Sequence, residues 1–183
     1  MTTEPGSGPS DGTIPSDDPL PAADHPLVGD RHEAVSLPVI EPSVPRSSVD
    51  SAGRVGAVAY PVRVYEAEIT VDRPLLSPRT DRSVISVDRS RRLAVRADTV
   101  PETTERRIED VLVLPAELSP AQADEKAEEA AFKWTLRGSI LADAPEIEFS
   151  RVVDAYKLFW LADRPDGDAI VDSVSGDERP FEG

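Results

Sequence analysis

The chain has 183 residues, a net charge of −15 from 35 carboxylates and 20 cations, and no cysteine. This length predicts one domain, or one domain with a tail. The absence of cysteine excludes disulfides, thiolate metal sites and cysteine nucleophiles, and the strong negative charge argues against nucleic-acid binding, because phosphate repels it. The N-terminus lacks the features of a secretory signal, and no apolar run approaches the roughly 18 residues that cross a bilayer. We therefore expect a cytoplasmic protein without membrane insertion.

The cations are unevenly divided between Arg, with 17, and Lys, with three. Surplus acid with little Lys resembles the salt-adapted (haloarchaeal-type) proteins, whose carboxylates hold water in molar salt, where charges are screened over about 3 Å. The alternative is an acidic protein from a GC-rich genome, because GC-rich codons also favour Arg over Lys.

Residues 1–57 are predicted to form a disordered arm. They hold nine of the 18 prolines, six of the ten glycines and no aromatic residue, so they bury too little apolar surface to offset the entropy of ordering. One stretch differs, because Val35, Leu37 and Val39 alternate before Ile40, as on one face of an extended chain. This stretch is either an apolar linker or a linear docking motif that binds a partner or the protein's own domain.

Residues 58–183 are predicted to form a single α+β domain. Alternating apolar and polar side chains predict a half-buried strand over 60–72, and residues 73–79 read as a loop. Further strands are predicted over 83–88, 93–98, 108–114, 147–149, 152–162 and 169–174. Of these, 152–162 is apolar on both faces and is the best candidate for a central strand, and residues 164–167 form a Pro/Gly turn.

Ser119, Pro120 and Gln122 form a capping box that predicts a helix over 120–137. One face of this helix is lined by small side chains and one Trp: Ala123, Ala127, Ala130, Ala131 and Trp134. The expected fold is an antiparallel sheet of about six strands, covered by one long helix and preceded by the disordered arm.

Two segments after this helix carry a family resemblance. They are Tyr156-Lys157-Leu158-Phe159-Trp160 and the ending IVDSVSGDE over 170–178. With the capped helix, the region 118–178 resembles PepSY-type domains, small modules linked with inhibitory or binding roles. The resemblance implies a non-catalytic protein and no particular binding residues. The chain departs from the family in the long strand region before the helix and in the missing export signal.

The one basic concentration in the chain contains Arg82, Arg89, Arg91, Arg92 and Arg96. Guanidinium forks bind phosphate or carboxylate, so these residues are candidates for a patch that binds an anion or an acidic partner, including the acidic arm itself. The alternative is a set of solvated strand positions paired with nearby acids. Asp163, Asp166, Asp168 and Asp172 lack the spacing of a calcium loop and are expected in a solvated turn.

No catalytic, cofactor-binding or metal-binding residue is predicted, because the two histidines, His25 and His32, lie in the arm and no nucleophile motif is present. The leading hypothesis is a non-enzymatic protein-interaction or structural assembly module, with a protein partner or self-assembly. The alternative is a small-molecule or anion-binding domain that uses Arg89, Arg91 and Arg92.

Overall fold

The computed structural model describes residues 27–73, 76–137 and 144–181, and most of these are in strands, as their alternating apolar side chains predict. A 3₁₀ turn at Arg46–Ser48 lies between the first two strands. The elements are β1 (Asp30–Ile40), β2 (Gly56–Arg73), β3 (Leu76–Asp88), β4 (Leu93–Ala97), β5 (Thr103–Val113), α1 (Pro120–Arg137), β6 (Glu146–Ala162), β7 (Ala169–Asp172) and β8 (Glu178–Pro180).

The eight strands of the described chain form one mixed sheet, in the order β4-β3-β2-β5-β1-β6-β7-β8. The prediction of an antiparallel sheet of about six strands is wrong, because β2 pairs with β5 in parallel and β1 meets β6 in parallel at Val39 and Tyr156. β2 also pairs antiparallel with β6, from Gly56–Leu161 to Thr70–Glu146. This additional pairing joins two strands that β5 and β1 separate in the strand order. β2, β5, β1 and β6 therefore form a closed ring.

Strand β1 lies inside the region predicted to be a disordered arm. It pairs antiparallel with β5 from Asp30–Val113 to Ile40–Thr103, so a domain boundary at residue 57 is wrong. The backbone hydrogen bonds of this ladder and the burial of Leu37 and Val39 offset the entropy that is lost when the segment becomes ordered. Composition alone suggested that this entropy loss would keep the segment disordered. Residues 1–26 of the predicted arm, including His25, lie outside the described residues, whereas His32 is in β1.

The ring encloses one hydrophobic core, to which each of its four strands contributes small or branched side chains. Trp160 of β6 is the largest residue of this core, and its indole N–H donates to the Val44 carbonyl at 2.8 Å. Other members are Leu37, Val39, Ala57, Ala59, Ile108, Val111, Leu158 and Val171.

The predicted helix is confirmed at both ends, and so is its cap. The Ser119 N–H donates to Gln122 Oε1 at 2.9 Å, and the Gln122 N–H donates to Ser119 Oγ at 3.3 Å, so two amides at the helix start are satisfied. Ala123, Ala127 and Ala131 are fully buried against a second core formed by β2 and β3. The small alanine side chains allow α1 to lie close to the sheet.

Several predicted strands are longer in the structure. β6 runs without a break through 147–149 and 152–162, and it pairs with β2, β1 and β7, which makes it central as predicted. β3 begins at Leu76 rather than near residue 83, and the register with β2 shifts between Val71 and Arg73. Such an irregularity accommodates Pro78, which has no N–H to donate.

Candidate functional site

A groove lies on the face of β2 and β6 that points away from the ring core. The register places Tyr60 opposite Lys157 and Val58 opposite Phe159, and directly paired residues share a face of a sheet. The Tyr60 and Phe159 rings meet edge to face with centroids 4.9 Å apart. Tyr60, Val62, Lys157 and Phe159 form the floor of a cavity of about 240 Å³, which we call the groove.

The two walls of the groove come from the hairpins on either side of β2 and β6. One wall is the β3–β4 hairpin, which contributes Ser86, Asp88, Arg91, Leu93, Val95 and Arg96. The other is the β7–β8 region, which contributes Ile170, Asp172, Asp177, Glu178 and Arg179. The groove therefore has an apolar interior with charged groups on both walls.

The turn between β3 and β4 positions one basic residue in the groove. Asp88 Oδ1 accepts hydrogen bonds from the Ser90 N–H, the Ser90 hydroxyl and the Arg91 N–H at 2.6–3.1 Å, an arrangement typical of an Asp that organises a turn. The Arg91 guanidinium consequently lies 4.1 Å from the centroid of the Tyr60 ring, at cation–π distance. Its Nε is 3.7 Å from Asp88 Oδ2.

An Asp on the opposite wall has a parallel role. Asp172 Oδ1 accepts from the Val174 and Ser175 N–H groups, and its Oδ2 lies 2.6 Å from Lys157 Nζ. Asp172 is buried, so its placement in a solvated turn was wrong. The sequence contains one signal for this, since Asp172 directly follows the apolar run Ala169-Ile170-Val171.

Arg179 brings a further cation to the same cavity. Its strand position is opposite Ile170, and burial together with the nearby charge of Arg91 lowers its pKa. Burial also raises the pKa of Tyr60, although Arg91 opposes that rise. In both cases burial is the main cause, so the surroundings of Tyr60 and Arg179 disfavour the charged form of each side chain.

The structure separates the five predicted arginines. Arg91 and Arg96 both line the groove, and the Arg96 guanidinium also lies 5.0 Å from the Trp134 ring. Arg89 donates to the Leu118 carbonyl at 2.9 Å, on the helix side. The remaining two are exposed and paired: Arg92 with Glu117 at 3.5 Å, and Arg82 with Glu68 at 3.0 Å. Arg89, Arg91 and Arg92 therefore do not converge on one ligand.

The second predicted site is the apolar stretch in β1. Leu37, Val39 and Ile40 are buried, and Val35 packs against the ring core. These side chains pack against the protein's own domain and are not available to a partner.

A second, more open cavity of about 600 Å³ lies elsewhere on the surface. Its lining includes Arg82 and Arg96 together with Arg151, Glu66 and Asp98.

No family model, curated protein or solved structure matches this chain. The resemblance to PepSY-type domains therefore stays a prediction. Across residues 27–73, 76–137 and 144–181, no group of three or more His, Asp or Glu side chains is arranged to hold a metal ion. Within those same ranges, no helix has both the length and the apolarity to cross a membrane.

Proposed function

We propose that this protein is a non-catalytic binding domain whose groove receives a small molecule with an apolar body. The observation that supports this is the groove itself: a floor that is apolar except for Lys157, with the other charged groups on the two walls. Concave sites with an apolar lining and a few placed polar groups are typical of small-ligand binding. This is the alternative hypothesis of the sequence analysis, with its site moved from Arg89 and Arg92 to the groove.

The size of the groove limits what it can bind. Its volume of about 240 Å³ equals roughly eight waters at about 30 Å³ each, which is smaller than most drug-sized sites. We therefore expect a ligand of one or two rings, or a short branched chain.

The proposed location of this protein is the cytoplasm. Disulfides rarely form there, so a chain without cysteine lacks no stabilising bond that this compartment would allow.

Titration calorimetry with a neutral aromatic amide, 2-naphthamide, tests this function. Val95 lines the groove, and Val95→Trp would fill it, so we expect binding to fall at least tenfold. The matched control is Val152→Trp, because Val152 is an exposed β6 residue on the helix side of the sheet, opposite Tyr65. Failure of 2-naphthamide to bind, or equal binding by both variants, would contradict the proposal.

A role in protein interaction or assembly is the second candidate. Phe132 and Leu136 lie one turn apart on α1 and remain 38% and 40% exposed, whereas apolar residues on a helix are usually turned toward a core. We propose that a second copy of the chain covers them. Sedimentation velocity should then show a dimer that Phe132→Gln with Leu136→Gln abolishes, and a monomer at all concentrations would contradict it.

A further inference from the structure

The four carboxylates of the groove walls already have partners. Asp88 and Asp172 accept from turn amides and face Arg91 and Lys157, as described above. Asp177 Oδ2 accepts from the Ser175 hydroxyl at 2.7 Å, and Glu178 Oε2 lies 2.6 Å from Arg164 Nη2. The acids of the groove therefore do not need a ligand to complete their hydrogen bonding.

Arg91 is paired less closely than these acids. Its side chain is only 19% exposed, and the closest carboxylate oxygen in its ion pair is 3.7 Å from Nε, which is too long for a hydrogen bond. It also contacts Tyr60, because the guanidinium lies over the Tyr60 ring and hydrogen-bonds with its hydroxyl. A guanidinium has five N–H donors, which is more than Asp88 and Tyr60 can accept from. The Arg91 guanidinium lines the cavity, so it can also donate to the oxygens of a ligand.

We propose that the groove binds a small carboxylic acid with a ring-sized apolar body, and that Arg91 holds the carboxylate while the body packs on Phe159, Val62 and Val95. This inference rests on the proposed function and names the chemical class of its ligand. Arg179 lines the same cavity, as do Lys157 and Arg96. A carboxylate matches the planar fork of one guanidinium, with two parallel hydrogen bonds.

Two features of the groove favour a single negative charge over a phosphate dianion. Asp88, Asp172, Asp177 and Glu178 all line it, and their charge repels a second negative charge on the ligand. The other feature is the group of cations that lines the groove, since Arg91 and Arg179 together attract the charge of a bound monoanion. A carboxylate meets both conditions.

Titration calorimetry on the full chain with three probes of the same ring system tests this inference. The probes are 2-naphthoate, the neutral 2-naphthamide and the doubly charged 2-naphthyl phosphate. Because charge-assisted hydrogen bonds to a mostly buried guanidinium are strong, we expect the wild-type protein to bind naphthoate about 10- to 100-fold more tightly than naphthamide. Naphthyl phosphate should bind more weakly than naphthoate.

Variants assign this preference to its residue. Arg91→Gln should reduce the naphthoate preference, measured as the ratio of naphthoate to naphthamide affinity, to about twofold or less. A circular dichroism spectrum like that of the wild-type protein shows that the variant is folded. Arg92→Gln is the matched control, because Arg92 is the next residue but is exposed and lies outside the groove lining. It should retain the full preference.

The outcomes separate the two proposals. If naphthamide binds and naphthoate binds no more tightly, the carboxylate assignment is overturned and the proposed function stands. Tighter binding of naphthyl phosphate would overturn the single-charge assignment, and an equal loss of preference in Arg91→Gln and Arg92→Gln would overturn the role of Arg91. If no probe binds, both proposals are overturned.

Discussion

Lys157 Nζ lies 2.6 Å from Asp172 Oδ2, and the two side chains differ in burial, with 31% of the Lys exposed but only 8% of the Asp. Asp172 is paired in register with Phe159, two residues beyond Lys157 on the same face of β6, so the ion pair runs diagonally between neighbouring strands. It joins the short strand β7 to the central strand β6. The same carboxylate also holds the turn that follows β7.

Replacing Asp172 separates these two contributions to stability. Asp172→Asn keeps an Oδ1 that accepts from the Val174 and Ser175 amides but loses the charge that faces Lys157. We expect the free energy of unfolding to fall by about 1–3 kcal/mol, because a largely buried ion pair loses one partner. Asp172→Ala should cost more, since the two turn amides also lose their acceptor.

Urea titration of both variants measures these differences. Asp168→Asn is the control, because Asp168 is an exposed carboxylate just before β7, and its replacement should change stability by less than about 0.5 kcal/mol. Equal losses in Asp172→Asn and Asp172→Ala would show that the turn hydrogen bonds contribute nothing.

The membership of β1 in the core is tested by two identical substitutions. Val39 is fully buried in the ring core, whereas Val28 is 71% exposed at the start of the described chain. Val39→Ala should lower the free energy of unfolding by about 2 kcal/mol through lost burial and the cavity left behind. Val28→Ala should lie within about 0.5 kcal/mol of the wild-type protein. If the two variants were equally stable, β1 would not be part of the cooperative unit.

Asp110 should make the protein sensitive to acid. Its carboxylate lies 3.1 Å from Arg31, 3.1 Å from Arg54 and 3.6 Å from Arg46, and the hydrogen bond from Arg31 is the main cause that lowers the pKa of Asp110. A pKa that is lower in the folded state gives stability that is present above the ordinary Asp value of about 4 and lost as the pH falls.

The variant Asp110→Asn tests this directly. Asp110 has a φ of +46°, a conformation that Asn also adopts, so the backbone should be retained. We expect a cost of about 1 kcal/mol at pH 7 and a smaller loss of stability below pH 4 than in the wild-type protein. Glu109→Gln, an exposed neighbour, should leave the acid dependence unchanged. A parallel acid profile for Asp110→Asn and the wild-type protein would contradict this prediction.

The buried tyrosines should make the free energy of unfolding fall at high pH, whereas Asp110 makes it fall at low pH. Burial raises the pKa of both Tyr60 and Tyr65, and Tyr65 also donates to Asp124 Oδ1 at 2.8 Å. A raised pKa in the folded state means that stability is complete below the unfolded value of about 10 and is lost as the pH rises above it. Unfolding titrations between pH 9 and 11 should show this loss, and Tyr60→Phe should reduce it. An unchanged slope in Tyr60→Phe would show that Tyr60 does not contribute.

The parts of the fold that follow from neighbouring residues were predictable. The capping box at Ser119 and Gln122 and the alanine face of α1 act within a few residues of each other, and the helix bounds are as predicted. The alternation in β2 likewise indicated the strand. In β1 the alternation of Val35, Leu37 and Val39 indicated an extended segment, but the prolines and glycines around it led to the prediction of a disordered arm.

The groove was predictable only in fragments. Arg91 and Arg96 stood out as members of a basic run, but nothing in that run distinguished them from Arg89 or Arg92, which differ in the direction that the turn gives each side chain. Lys157, Asp172 and Arg179 were missed as site residues, because each joins the groove through a strand pairing rather than through a motif.

By itself, the sequence determined what short-range chemistry encodes: one capped helix, strands with an apolar face, an acidic surface and a chain without thiols. The tertiary structure alone decided the order of the strands, the inclusion of β1 in the ring and the meeting of Arg91, Lys157 and Arg179 around one groove. The physical reason is that strand pairing is non-local. An alternating pattern specifies which side chains share a face, but the partner strand and its register depend on how all the apolar faces are buried together.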